Sequence, residues 1–299
     1  MSRDAVTILC PIDGSRHSEW ALELAPQLVH PMDARLVLLH VVDAGKFRAA
    51  RKLGTQTDEA IAEALALAEQ GGERLLGRTH DAVSSRWKQI LTKIAKGDPA
   101  TAIAQAAVRT RSRLIVMGSR GLTDFRPFLL GSVSRRVVMT APCPVLVVKR
   151  SVTSLQHIIV CTDGSKPARA ALDFALSLRL PGTARFTVTT VVPPLPIDTG
   201  HAPAGVAPIS DKVRASLTQQ AHKTAAEEAS RITDDGYGVH LRVTQGEVAP
   251  DLVNLAEQEQ ADLIVLGSRG LTGAARHLMG SVSESVVKYA PCSVLVHRR

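Results

Sequence analysis

Two short stretches carry residue types suited to holding a phosphate chain. One is Asp13-Gly14-Ser15; the other is Gly118-Ser-Arg-Gly121, followed after nine residues by Gly131-Ser132-Val133-Ser134. Glycines between a strand end and a helix start let backbone N–H groups close on phosphate oxygens. Gly131 stands where a helix can begin, and the free N–H groups and positive dipole end of such a helix favour an anion. Ser132 and Ser134 can cap that helix or donate hydroxyls to phosphate. The pattern is not a P-loop, because the Gly-Lys-Ser/Thr ending is absent. It is not the dinucleotide fingerprint either, since the loop follows a fourth strand rather than a first.

Each of these residues occurs twice. Asp163-Gly164-Ser165 lies 150 positions after Asp13-Gly14-Ser15, and Val191 lies 150 after Val41. Gly267, Gly270, Gly280, Ser281, Val282 and Ser283 lie 149 after their counterparts. An offset this constant over nearly the whole chain predicts two copies of one domain, 1–150 and 151–299, each of ordinary domain size. A turn-and-cap role could explain one glycine pattern; two copies in step with two aspartates favour phosphate binding.

The elements that must position these residues alternate. In the first half, strands are expected at 6–12, 35–42, 87–95, 114–117 and 145–148, with helices after Ser15, over 57–78, from Pro99 and from Ser132. Pro99 suits a first helical position. In the second half, strands are expected at 157–161, 185–192, 239–244, 262–266 and 293–297. Strands alternating with helices imply an α/β fold with a parallel sheet covered on both faces. In such sheets ligands bind at the carboxyl ends of the strands. If the first and fourth strands are neighbours, Asp13, Val41 and the glycine loop meet in one crevice, as do Asp163, Val191 and the loop at Gly267. The Pro- and Gly-rich stretch from Pro193 to Pro208 is expected to be a loop serving as a spacer.

Composition narrows the class. No apolar run approaches the roughly 18 residues a membrane span needs, and the N-terminus has no secretory pattern, which points to the cytoplasm. Cys10, Cys143, Cys161 and Cys292 form no close-spaced metal pair and read as buried reduced thiols. The formal net charge of +8 is dispersed, and aromatic residues are only 3% of the chain, which argues against a nucleic-acid stacking platform.

With these residues in view, both halves resemble universal stress protein domains of the subgroup that binds ATP. The resemblance rests on Asp13-Gly14-Ser15, Val41 and the Gly118–Ser132 loop, on their second-half partners, and on the endings Ala141-Pro142-Cys143 and Ala290-Pro291-Cys292. It implies two tandem doubly wound domains, each a five-stranded parallel sheet of order 3-2-1-4-5 between helices. It implies that adenine lies near Val41 or Val191. Ribose and phosphates would lie on Gly118, Arg120, Gly121, Gly131, Ser132, Val133 and Ser134, or on Gly267, Arg269, Gly270, Gly280, Ser281, Val282 and Ser283. Asp13 and Asp163 would face the nucleotide directly or through Mg²⁺, which takes few protein carboxylates. The family's dimerisation through the fifth strand implies an internal pairing of Val145–Val148 with Val294–Val296, with a further homodimer open.

Three departures from the family pattern stand out. The first half has Ser112-Arg113 where the second has Ala261-Asp262. Arg135 replaces the usual acidic residue after the loop. The nine-residue spacers differ, Thr123–Phe128 against Thr272–His277. The two sites are therefore expected to bind unequally. The function implied is an ATP-dependent regulator acting on an unidentified protein partner in a stress response. The alternative is a slow ATPase or self-phosphorylating enzyme, for which only Asp13 and Asp163 recur as crevice carboxylates.

Overall fold

The computed structural model describes residues 6–45, 57–122, 130–194, 207–270 and 279–298. The spacers at Thr123–Phe128 and Thr272–His277, and most of the Pro- and Gly-rich stretch after Pro194, lie outside the described residues. The chain divides into two compact units, one running through Thr153 and the other from Ser154 to His297.

In the first unit the elements are β1 (Val6–Pro11), α1 (Arg16–Leu28), β2 (Ala34–Val42), α2 (Asp58–Val83), β3 (Gln89–Lys96), α3 (Pro99–Arg109), β4 (Leu114–Gly118), α4 (Ser132–Thr140) and β5 (Val145–Val148). All pairings are parallel, and the strand order is β3-β2-β1-β4-β5. The central strands are continuous apolar runs because both faces are covered: Ile8, Leu9 and Cys10 in β1 and every residue of β4 are buried. Edge strand β3 has no buried residue, and Gln89, Leu91, Thr92 and Lys96 are exposed. Helix α1 packs on β1, β4 and β5, α2 on β2 and β3, and α3 on β2 and α4. Because the chain moves from β1 outward to β3 and then returns to β4, right-handed crossovers put α1 and α2 on one face and α3 and α4 on the other.

The second unit repeats the plan with β6 (His157–Cys161), α5 (Lys166–Leu176), β7 (Arg185–Val192), α6 (Ala207–Asp234), β8 (Gly238–Gln245), α7 (Val248–Gln258), β9 (Leu263–Gly267), α8 (Ser281–Tyr289) and β10 (Ser293–His297). Its order is β8-β7-β6-β9-β10, again parallel. Here α5 and α6 are tied by charge. The buried carboxylate of Glu228 meets Arg169 Nε at 3.2 Å and Arg231 Nη1 at 2.7 Å, while Arg231 also reaches Asp173.

The helix starts follow from local chemistry. Ser15 and Ser165 cap α1 and α5, accepting from the N–H groups of Ser18 and Ala168. Gly14 and Gly164, one residue earlier, have φ of +81° and +77°, a conformation that disfavours any side chain. Asp98 caps α3 and Pro99 opens it.

Candidate functional site

The switch point of the first unit lies between β1 and β4, whose carboxyl ends carry Asp13 and Gly118. Asp13 is half-buried. Its Oδ1 accepts from Ser15 N at 3.0 Å and Ser15 Oγ at 2.6 Å. The Ser15 hydroxyl also lies 3.2 Å from the Arg120 carbonyl, so one serine joins the β1 turn, the α1 cap and the loop after β4. Oδ2 of Asp13 faces Gly121 so closely that a Cβ there would sit 2.6 Å away. Gly118 lies flush on the backbone of α1: a Cβ would meet the carbonyl carbon of His17 at 2.6 Å. Glycine is required at Gly118 by this close approach.

The loop then closes on itself. Ser119 N donates to Val148 O, and Gly131 N donates to Ser119 O, both at 2.8 Å. Gly131 is the N-cap residue of α4 and supplies no side-chain cap. The first intrahelical bond is Arg135 N to Gly131 O. The N–H groups of Ser132, Val133 and Ser134 therefore have no partner within the helix, which is the arrangement that attracts an anion. Capping by Ser132 or Ser134 is not what the structure shows. The buried Ser134 hydroxyl turns back and donates to Gly118 O at 2.9 Å, locking α4 to the end of β4, while Ser132 is exposed.

All nine first-half candidates, Asp13, Val41, Gly118, Arg120, Gly121, Gly131, Ser132, Val133 and Ser134, line one cavity of about 630 Å³. Its remaining walls are mainly apolar, with Ile12, Leu39, Ile103, Met117 and Leu122 among them. That size and mixture suit a small organic ligand with one polar end.

Two histidines near this site gain roles that spacing did not reveal. His40 lines the cavity, and its Nδ1 lies 2.8 Å from Ile12 O. In the second unit Thr190 Oγ1 donates to Thr162 O at 2.9 Å. The residue differs, yet the bond to the corresponding carbonyl recurs; the shared offset of 150 was the available signal. His17 packs edge-on against Trp20 and has its Nε2 buried without a hydrogen bond. Burial and then the Arg120 and Arg16 charges hold its pKa below the usual 6.5, against the opposing pull of Asp13. Its second-half counterpart is Pro167.

In the second unit the local geometry recurs. Asp163 Oδ1 accepts from Ser165 N at 3.0 Å, and a Cβ on Gly270 would sit 2.5 Å from Asp163 Oδ2. Gly267 abuts the backbone of Pro167, Gly280 N donates to Ser268 O at 2.9 Å, and Ser283 Oγ donates to Gly267 O at 2.8 Å. Arg269 is half-buried beside Gly270. Two differences follow. Val191 is buried where Val41 is half-buried, and α6 comes closer to the turn, with Thr224 Cγ2 3.1 Å from a Cβ on Gly164. A cavity of about 640 Å³ in this unit is walled by Ser281 and Val282 but otherwise by α7, α8 and Pro193-Pro194.

Nucleophilic thiol chemistry finds no support. Burial pushes the Cys143 and Cys161 thiols up to about 12, and Cys10 is raised by burial as well. Among the described residues no three His, Cys, Asp or Glu side chains gather to hold a metal, and no helix is long and apolar enough to cross a membrane.

The fold agrees with known proteins. The model of the universal stress protein family matches residues 6–149 and again 154–298. Universal stress protein MJ0531 of Methanocaldococcus jannaschii is 35% identical over 143 residues, covering 48% of this chain and 81% of that protein. A universal stress protein of Thermus aquaticus is 36% identical over 151 residues, covering 48% of this chain and 98% of its own length. Among solved structures, a universal stress protein from Archaeoglobus fulgidus is similar with a TM-score of 0.65 and 22% identity, over 98% of this chain and 96% of that one. Two family domains in series, spanning nearly all 299 residues, place this chain in the universal stress protein family.

Proposed function

We propose that the crevice of the first domain binds ATP, and that the second domain carries a related, unequal site. The observation that supports this most is the gathering of Asp13, Val41 and the glycine loop around one cavity of about 630 Å³. Adenine fits the apolar end near Val41, Ile12 and Leu39. The triphosphate fits the unpartnered N–H groups of Ser132, Val133 and Ser134, with Arg120 on the same wall. Asp13 keeps Oδ2 outside its bonds to Ser15, so Mg²⁺ carried by the phosphates would find one protein carboxylate there, in keeping with its habit of retaining waters. When bound, the metal would neutralise phosphate charge.

The ligand acts as a regulator if it binds two conformations, or the free and partner-bound chain, with different affinity. A cytoplasmic setting, an internal pairing of Val145–Val148 with Val294–Val296, and a protein partner belong to the same proposal. Denaturing the purified chain and assaying released nucleotide, then titrating nucleotide-free protein with Mg-ATP, tests the reading. ATP release or saturable binding supports it; neither result refutes it. A phosphate-release assay on the same sample separates a binder from a slow ATPase.

A further inference from the structure

The two domains differ at three matched positions that do not line the first domain's cavity. In the first domain the N-cap carboxylate of α3, Asp98, has two partners. Its Oδ1 accepts from the N–H of Thr101 at 3.0 Å. It also holds Arg136 of α4 in a two-point ion pair, Nη1 to Oδ2 at 2.6 Å and Nη2 to Oδ1 at 2.8 Å.

At the offset of 149, Asp98 becomes Glu247, Thr101 becomes Pro250 and Arg136 becomes Ser285. The acid is kept and both partners are lost. Pro250 has no N–H to give, and the side chain of Glu247 does not cap α7. Ser285 has no charge. Among the described residues no ion pair engages Glu247. Between α7 and α8 a cleft of about 640 Å³ opens, with Glu247 and Ser285 on its wall. Its apolar lining includes Pro193, Val248, Val253 and Val282, and Tyr289 stands where the first domain has Thr140.

We propose that this cleft binds a small organic cation with an apolar body, such as an arylamidine or arylguanidine. The first domain shows internally what the carboxylate accepts: a planar, charged fork of N–H donors. A ligand amidinium would take the place of the Arg136 guanidinium on Glu247, a charge-assisted bond of the stronger kind. An aryl ring would lie against Val253 and the Tyr289 ring, which favour offset or edge contacts. Lys288, whose ammonium lies 4.7 Å from the Tyr289 ring centroid, is the nearby like charge, and it is not part of the cleft wall. The volume is that of an ordinary small-molecule site. The inference does not depend on nucleotide binding, although the cleft overlaps the second domain's counterpart of the crevice: Pro193, Val248, Ser281 and Val282 match Asp43, Pro99, Ser132 and Val133, which line the first domain's cavity.

The test is a titration of the full isotope-labelled chain with benzamidine, followed by amide NMR. Saturating shifts confined to residues 246–254 and 281–289 are expected. The neutral isostere benzamide should bind at least roughly tenfold more weakly, and Glu247→Gln should lose a similar factor toward benzamidine. Ser285→Arg restores the first domain's guanidinium and should abolish binding. Ser285→Ala leaves the cleft open and should bind as the parent does, with an unchanged melting temperature. Shifts that never saturate, equal affinity for benzamide, or undiminished binding by Ser285→Arg would each overturn the proposal.

Discussion

Replacing Gly118 by alanine should destabilise the first domain, whereas replacing Gly121 by alanine should leave it folded and weaken binding at the proposed nucleotide crevice. The difference lies in what each new Cβ would strike. At Gly118 it would sit 2.6, 2.7 and 2.8 Å from the carbonyl carbon, Cβ and carbonyl oxygen of His17. Two of these are backbone atoms in the first turn of α1. Restoring an ordinary carbon contact of ~3.5–4.0 Å moves that turn about 1 Å off β4. Overpacking of this kind costs about 1–3 kcal/mol or more, and the rigid obstacle points to the upper end. For a domain of about 150 residues, 3 kcal/mol is roughly 6–12 °C in melting temperature. At Gly121 the obstacle is Asp13 Oδ2 at 2.6 Å, the end of a side chain that can rotate away. The stability cost there should stay under about 1 kcal/mol, but Asp13 would leave its place beside the loop. Mg-ATP affinity should then fall by at least roughly tenfold. The assay is selective, because both tryptophans, Trp20 and Trp87, lie in the first domain. Tryptophan fluorescence during urea or thermal unfolding therefore reports that domain. If Gly118→Ala unfolds with the parent, the close approach of α1 to β4 is not real. If Gly121→Ala loses as much stability as Gly118→Ala, the distinction between backbone and side-chain obstacles fails.

Two further outcomes follow from charge pairs. Hydrogen bonds from Arg136, and then Thr101, lower the Asp98 pKa from 3.8 to about 2. A depressed carboxylate stabilises the fold above its unfolded pKa and loses that contribution as pH falls through the folded value. Arg136→Ala should thus cost little stability at neutral pH, the pair being well exposed, and the deficit should shrink as pH falls from 3.8 through about 2. Tryptophan-monitored urea unfolding across pH checks it, and a pH-independent deficit contradicts it. In the second domain, replacing Arg169 and Arg231 together by alanine strands the buried Glu228 carboxylate, which should cost about 3–5 kcal/mol. Unfolding followed by Tyr237 and Tyr289, the only tyrosines, measures it; a loss under about 1 kcal/mol would mean that Glu228 finds water.

Much of the fold was legible because it rests on local pattern. Apolar runs without alternation marked β1, β4, β6 and β9, and Ser15, Ser165 and Pro99 marked helix starts one residue at a time. Boundaries slipped where propensity is flat: α2 runs on to Val83, beyond the expected 78, and β3 begins at Gln89 rather than at Trp87. Ser134 and Ser283 could not be assigned from sequence. Whether a serine at a helix start caps it or bonds the preceding strand depends on where that strand ends in space. His17 stayed hidden for a similar reason, since its neighbours Asp13 and Arg120 are brought together only by the closure of β1 against β4.

By itself, the sequence determined the duplication, the alternation of strands and helices, and the two sets of glycines, aspartates and serines that could hold phosphate. Those are properties of residue type and spacing along one chain. Only the tertiary structure decided that nine residues of the first domain share one cavity, and that Gly118 must be glycine because a helix backbone lies against it. Only the tertiary structure showed that Glu247 faces an open cleft where Asp98 faces an arginine. These are distances between segments far apart in the chain, set by the strand order and helix packing, and single substitutions such as Arg136 against Ser285 change them without altering the pattern that builds the fold.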